Sequence, residues 1–329
     1  MLPRSITAAL IETPGSPAVP GERPEPTRGE GEVLVAVSAA PIVPLDRLCA
    51  SGTSYFGVPS TPYVPGVQGV GLVLEGSARL AKGTPVWFAT TAGMQPGDGS
   101  MRAVAAVPES DVVALAPGAD PVLVAALGLS AVAAWMALTF RGGLTAGERV
   151  LVLGAGGVVG QAAVQLARSA GAGRIVAAAR GERSRERALA LGADVAVPLG
   201  DTASDDLADV ARLADRMRVD GPVDLVVDPL FGAPAAAALR VLRPHGRLVN
   251  LGGSAAETSP IDSSTLRSRS LRVLGYTNNE LTPEQRAGAL AHVVDEVFAG
   301  RLTVAHEPVP LVDVTGVWDR AGDRIVLVP

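Results

Sequence analysis

The sequence predicts an α/β chain: a β-rich first lobe and a doubly wound, six-stranded parallel sheet. Three observations carry this. The first 119 residues are rich in proline and glycine and hold short apolar stretches between turn signals. From Gly147 to Tyr276, apolar strand-like runs alternate with helix-like segments, the pattern of a parallel sheet covered on both faces. A glycine-rich turn joins the first of those strands to the first of those helices. The expected division is 1–119 with 280–329 as one domain and 120–279 as the other.

In the first lobe, strands are expected over Glu32–Ser38, Gly69–Leu74, Thr84–Phe88 and Met101–Val107. Pro14-Gly15, Pro65-Gly66 and Pro96-Gly97-Asp98-Gly99 mark turns. The second domain reads in order: strand Val150–Gly154, helix Val158–Ala170, strand Ile175–Ala179, helix Glu182–Leu191 and strand Val195–Pro198. It continues with helix Ser204–Met217, strand Val223–Asp228, helix Pro234–Leu242, strand Arg247–Leu251 and strand Leu271–Tyr276. A helix over Pro283–Phe298 takes Thr282 as its cap. The tail, Thr303–Pro329, is strand-like and is expected to return to the first lobe.

Composition narrows the function classes. Of 329 residues, 48 % are hydrophobic and 19 % charged, which describes a globular chain. The net charge is −5 with no basic block, so nucleic acid is not an expected partner. The lone cysteine, Cys49, forms no disulfide within the chain and fits a reducing cytoplasm. Pro121–Phe140 carries no charge and is about as long as a membrane span. It is rich in Ala, Gly and Ser and lacks flanking basic residues, so it reads as a buried helix or helix pair.

The chemistry sits in Val150-Leu-Val-Leu-Gly154-Ala-Gly-Gly157-Val-Val-Gly160. A dinucleotide pyrophosphate rests on exposed N–H groups at a helix start, where the helix dipole favours negative charge. Small residues at Ala155, Gly157 and Gly160 leave room for that approach, with Val158 and Val159 supplying amides. The end of the second strand selects the cofactor. Ala179 stands where an NAD site carries an acid for the ribose hydroxyls, and Arg180 and Arg183 follow. A guanidinium there holds a 2′-phosphate by charge-assisted bonds, which favours NADP. Glu182 is the competing candidate, as a ribose-binding acid.

With Pro62-Tyr-Val-Pro65-Gly66-Val-Gln68-Gly69-Val-Gly71, these features resemble the medium-chain dehydrogenase/reductase superfamily, in its zinc-free quinone oxidoreductase (zeta-crystallin-like) branch. The resemblance covers nearly the whole chain. It implies a GroES-like catalytic lobe built from both termini, a Rossmann domain between them, and a homodimer through the Rossmann sheet edge. It also points to Tyr55 as the tyrosine near the nicotinamide and to Asp46 as an acidic position of the catalytic lobe. Gly252, Gly253 and Ser254 match the loop that passes the nicotinamide, and Asp228 and Asn279 follow as further cofactor-binding positions. Where zinc-using members carry a cysteine motif and Gly-His-Glu, this chain has Val43-Pro-Leu-Asp46 and Gly66-Val67-Gln68, so no metal site is expected. Val43 and Ala133 replace an Asn and a Thr of the family pattern; Ser130 is the nearby hydroxyl that can substitute.

The expected activity is a zinc-independent, NADPH-dependent reduction of a small electrophile, a quinone or an α,β-unsaturated carbonyl. Three other readings stay open: an enoyl-thioester reductase, a zinc-free alcohol or carbonyl oxidoreductase, and a dinucleotide-binding structural or regulatory protein with little turnover.

Overall fold

The computed structural model describes residues 4–200 and 206–329. In chain order, β1 (Ser5–Leu10) and β2 (Val19–Pro24) pair antiparallel as a separate ribbon. β3 (Glu32–Pro41) is the long central strand of the N-terminal region, followed by α1 (Pro44–Ser51), β4 (Gln68–Glu75), β5 (Pro85–Ala89), β6 (Val104–Pro108) and β7 (Val112–Ala114). Pro44 opens α1, where a missing N–H costs nothing, and Gly52 ends it in the left-handed conformation at φ 74°.

α2 spans Pro121–Met136 and is broken at Gly128, whose φ of 30° and ψ of −128° no helix allows. The uncharged stretch read as a helix or helix pair is therefore a pair. Val124–Leu127, Ala131, Val132 and Ala134 are all buried. The segment Pro121–Arg141, long and apolar enough to cross a membrane, has 61 % of its most apolar window buried within the protein.

The parallel sheet then builds in alternation: β8 (Arg149–Leu153), α3 (Val158–Ser169), β9 (Arg174–Ala179), α4 (Glu182–Ala190), β10 (Val195–Pro198), α5 (Leu207–Met217), β11 (Val223–Asp228), α6 (Gly232–Leu239), β12 (Leu242–Asn250), α7 (Ser263–Arg269) and β13 (Arg272–Gly275). The six strands lie in the order β10-β9-β8-β11-β12-β13, every pair parallel. The strand order reverses between β8 and β11, which opens a crevice at the carboxyl ends of the strands. Leu151, Leu153, Val176, Ala178, Val226 and Leu248 form the core of this unit with α5 and α6. Among the described residues of the helix expected from Ser204, α5 begins at Leu207 after an Asp206 cap; Ser204 itself lies outside them.

α8 (Pro283–Phe298) matches its expected bounds, with Thr282 and Gln285 forming a reciprocal capping box. β14 (His306–Pro310), the single turn α9 (Val314–Val317) and β15 (Arg324–Val328) complete the chain. β15 pairs antiparallel with β3, so the tail does return to the N-terminal sheet, ordered β14-β15-β3-β4-β5-β7 with β6 also on β3. Ile11, Val33, Val35, Val86, Phe88, Met101 and Leu327 pack in its core.

The two compact units are residues 1–128 with 304–329, and 129–303. The sequence places the changes at 119 and 279. The difference has a physical source at each end. The first half of α2 stays with the N-terminal unit, where Gln68 Nε2 donates to the Ala125 carbonyl. α8 stays with the parallel sheet through Ser169 Oγ to Glu296 (2.6 Å) and through Gln165, which bonds both the N–H and the carbonyl of Thr303.

Candidate functional site

The glycine turn lies at the carboxyl end of β8, beside the reversal of strand order. Gly154 leaves the strand at φ 64°, a conformation that suits glycine, and a Cβ there would meet the Leu230 and Pro229 side chains. Ala155 is buried, and its N–H donates to the Ala178 carbonyl at 3.0 Å, tying the turn to β9. Gly157 is the N-cap of α3, exposed, and lacks a side chain to satisfy the helix amides. The N–H groups of Val158, Val159 and Gly160 head that helix, where no intrahelical acceptor exists for them. A Cβ on Gly157 would meet only the Gly154 carbonyl, at 3.6 Å. A Cβ on Gly160 would lie 2.6 Å from Ala155 Cα. The two glycines thus do different work: Gly157 keeps the approach to the amides open, and Gly160 lets α3 sit close on the turn.

Two residues outside the expected set support this turn. Gln161 Nε2 donates to the Gly156 carbonyl at 2.9 Å, and Ser184 packs where a Cβ on Gly156 would fall. Gln161 is legible as the first polar side chain in the helix's opening turn; Ser184 comes from the next crossover and leaves no local sign.

At the end of β9, Ala179 is buried and offers no ribose acceptor. Arg180 and Arg183 are both exposed, and neither side chain makes a hydrogen bond or ion pair among the described residues. Arg185 differs: its Nη1 donates to the Arg180 carbonyl at 2.6 Å, bracing the turn. Glu182, also exposed, begins α4.

Asp228 ends β11 and is fully buried. Its Oδ1 accepts from the Leu230 and Phe231 amides, both at 2.9 Å, and its Oδ2 from Asn250 Nδ2 at 3.1 Å. Burial pushes the carboxyl above its ordinary value, with these bonds opposing. Both carboxyl oxygens of Asp228 are thus engaged in shaping the loop after β11. Phe231 and Gly232 follow with positive φ of 58° and 63°, a strained turn at the strand end. Asn250, directly opposite Asp228 in the register, also holds the Gly252 carbonyl at 2.8 Å. Gly252 and Gly253 are half-buried, and Ser254, exposed, bonds the Pro229 carbonyl through Oγ at 2.9 Å. Asn279 is exposed after β13, whereas Asn278 is spent on Tyr276 and on the Leu129 carbonyl. Ser130, half-buried, sits on the second half of α2. Apart from Ser130, the expected cofactor positions thus come from the loops after β8, β9, β11, β12 and β13, one edge of one sheet.

In the N-terminal unit, Tyr55 is 79 % exposed, its ring 4.1 Å from that of Phe56. Its hydroxyl has no partner among the described residues. Asp46 is the opposite. Its Oδ2 accepts from the Val43 amide at 2.8 Å and its Oδ1 from the Val67 amide at 2.9 Å. Burial pushes its carboxyl up to about 6, against those bonds and the charge of Arg324. Asp46 thus clamps the α1 start to the β4 approach with both carboxyl oxygens. The surrounding side chains also make a poor zinc donor set. Val43 and Val67 are buried and apolar, and the Gln68 amide is occupied by Trp87 Nε1 (3.1 Å) and the Ala125 carbonyl. Among the described residues, no three His, Cys, Asp or Glu side chains converge to hold a metal.

Comparison with known proteins agrees with this geometry. Residues 29–117 match the alcohol dehydrogenase GroES-like domain, and residues 158–295 match the zinc-binding dehydrogenase family. A phenolphthiocerol/phthiocerol polyketide synthase of Mycobacterium tuberculosis is 34 % identical over 184 residues, 55 % of this chain. The chain spans only 8 % of that synthase. Prostaglandin reductase-3 of Bos taurus is 30 % identical over 294 residues, covering 85 % of this chain and 72 % of the reductase. The quinone oxidoreductase of Thermus thermophilus, solved also in complex with NADPH, superposes with a TM-score of 0.75 at 29 % identity, covering 98 % of this chain and 100 % of that one. By its two matched domains, its sheet order and these relatives, the chain belongs to the medium-chain dehydrogenase/reductase superfamily, in its quinone oxidoreductase-like branch.

Proposed function

We propose that the chain is a zinc-independent, NADPH-dependent reductase that delivers hydride to a quinone or an α,β-unsaturated carbonyl. The observation that carries the reading is the pair of uncommitted guanidinium groups, Arg180 and Arg183, after the acid-free end of β9. When bound, NADPH supplies the hydride. The amides of Val158, Val159 and Gly160 hold its pyrophosphate, with Gly157 leaving the approach clear. Arg180 and Arg183 hold the 2′-phosphate, and buried Ala179 offers NADH no compensating acceptor. Gly252, Gly253, Ser254 and Asn279 line the remainder of the path, with the Ser130 hydroxyl as a further polar contact. Tyr55 donates a hydrogen bond to the oxygen that gains charge as the acceptor is reduced. An acceptor already electrophilic needs no Lewis acid, which suits a chain with valines at 43 and 67.

Binding titrations with NADPH and NADH test the cofactor assignment. Arg180→Ala is expected to weaken NADPH by about 10- to 100-fold while leaving NADH nearly unchanged. Equal loss for both cofactors removes the phosphate site. NADPH consumption with quinones, enones and enoyl thioesters tests the reaction. Enoyl thioesters belong in that panel because the polyketide synthase match favours an enoyl-thioester reductase as the second reading. Tight NADPH binding with no acceptor reduced would instead favour the non-catalytic reading, to which Val43 and Ala133 lend support. We place the protein in the cytoplasm, on its single buried thiol, and as a homodimer through the free edge of β13.

A further inference from the structure

The carboxyl ends of the parallel strands serve the dinucleotide; the amino ends carry a different feature. A cavity of about 300 Å³ opens where the chain enters β11 and β12, lined by Arg218, Arg240, Arg243, Arg269, Val241 and Leu242, together with glycine and proline. No carboxylate lines it. A strand of six residues spans about 20 Å, so this cavity is remote from the glycine turn.

Three of the four lining arginines are paired with carboxylates that do not themselves line the cavity. Arg218 pairs with Asp215 at 2.8 Å and Arg240 with Asp262 at 3.1 Å. Arg243 pairs with Asp224 and reaches Glu148 at 3.4 Å, and Glu148 is already engaged by Arg247. Asp220, next to the lining residue Gly221, is taken by Arg174. Arg269 is the exception. Its Nη1 donates to two carbonyls, Arg240 at 2.7 Å and Leu242 at 2.9 Å, and it has no carboxylate partner among the described residues. The carbonyl bonds fix the guanidinium in place without neutralising it. Val241 and Leu242 are buried and floor the cavity with apolar atoms. A pre-positioned guanidinium beside an apolar floor, with three further arginines around it, selects for negative charge on an apolar body.

We propose that this cavity is a second ligand site, for a small organic anion: an apolar body carrying one phosphate or carboxylate group. Its volume admits a compact molecule, and the net negative charge of the whole chain argues against a polyanion as occupant.

The test titrates phenyl phosphate and benzoate into protein saturated with NADPH, so that any phosphate site at Arg180 is already filled. The readout is the methyl resonances of Val241 and Leu242. Saturable shifts at millimolar ligand are expected, with phenol silent. Arg269→Gln and, independently, the more exposed Arg218→Gln are each expected to weaken binding by about tenfold, with NADPH affinity unchanged. The relative strength of the two probes decides between phosphate and carboxylate. Absent shifts, equal response to phenol, or unchanged affinity in both variants overturns the site. Inorganic phosphate binding as well as phenyl phosphate overturns the role given to the apolar floor. If NADPH itself fails to bind, the same titration on Arg180→Ala protein without cofactor still decides the question.

Discussion

Asp46 shows how a single buried carboxyl writes a pH dependence into the fold. Its ordinary value is 3.8 and burial raises it to about 6. A carboxyl held above its unfolded value favours the folded state while protonated. That contribution is complete below about pH 4 and is lost as pH rises through 6, a change of about 3 kcal/mol. Glu148 and Glu296 act in the other direction. Burial opposes the ionisation of Glu148, but Arg247 and Thr145 hold it at about 2; Arg301 holds Glu296 at about 2. Their contribution is complete above 4.5 and lost as pH falls toward 2. The melting temperature is therefore expected to decline between about pH 4 and 6 in the wild type. Asp46→Asn should flatten that decline, while lowering stability at about pH 4, because its amide turns a donor toward the Val43 or Val67 N–H. An unchanged slope in the variant would remove Asp46 as its source. The linear sequence does not reveal this role, since Val43 and Val67 converge on Asp46 only in the fold. Asp228 is illegible for the same reason: its partners Leu230 and Phe231 are local, but Asn250 arrives through strand register.

At the scale of elements, the turn and α3 separate binding from stability. Gly160→Ala pushes a methyl against Ala155 Cα and displaces the helix, which should cost about 1–3 kcal/mol and abolish dinucleotide binding. Gly157→Ala has room in the fold and should melt near the wild type, yet lose affinity because the methyl stands where the pyrophosphate approaches. Calorimetry paired with thermal denaturation distinguishes the two; similar melting losses in both would show that Gly157 is also a packing glycine. The elements of this sheet are well marked in the sequence because each carries a clean signal. The Thr282-Pro283 start fixes α8, and continuous apolar runs fix β8, β9 and β11. The start of α6 is less legible: Pro234 resembles a first helical residue, whereas the helix opens at Gly232. β12 likewise begins earlier than its apolar run, at Leu242, and continues through Pro244 and a positive-φ His245. β1 and β2 escape a sequence reading because the prolines at 20 and 24 look like turn signals, although both sit in a two-stranded ribbon.

At the scale of the whole molecule, the edge strand β13 presents an unpaired side and Val273 is 41 % exposed. Placing a charge there is expected to break the proposed homodimer: Val273→Glu should run as a monomer by light scattering where the wild type runs as a dimer. A monomeric wild type sinks the assignment. Domain boundaries are the least legible large-scale feature, because they depend on which unit claims α2 and α8, and that is settled by Gln68, Gln165 and Ser169 far along the chain.

The pairing of β15 with β3 has a consequence for biosynthesis. Unit 129–303 is continuous, whereas the other unit needs residues from both sides of it. As the chain leaves the ribosome, the nucleotide-binding half can fold as soon as it has emerged. β3, made far earlier, is covered over Glu32–Ala36 by β6 and waits for β15 only at Ala40 and Pro41. Until β15 arrives, that short end of β3 stays the open part of the strand, and the N-terminal sheet closes last.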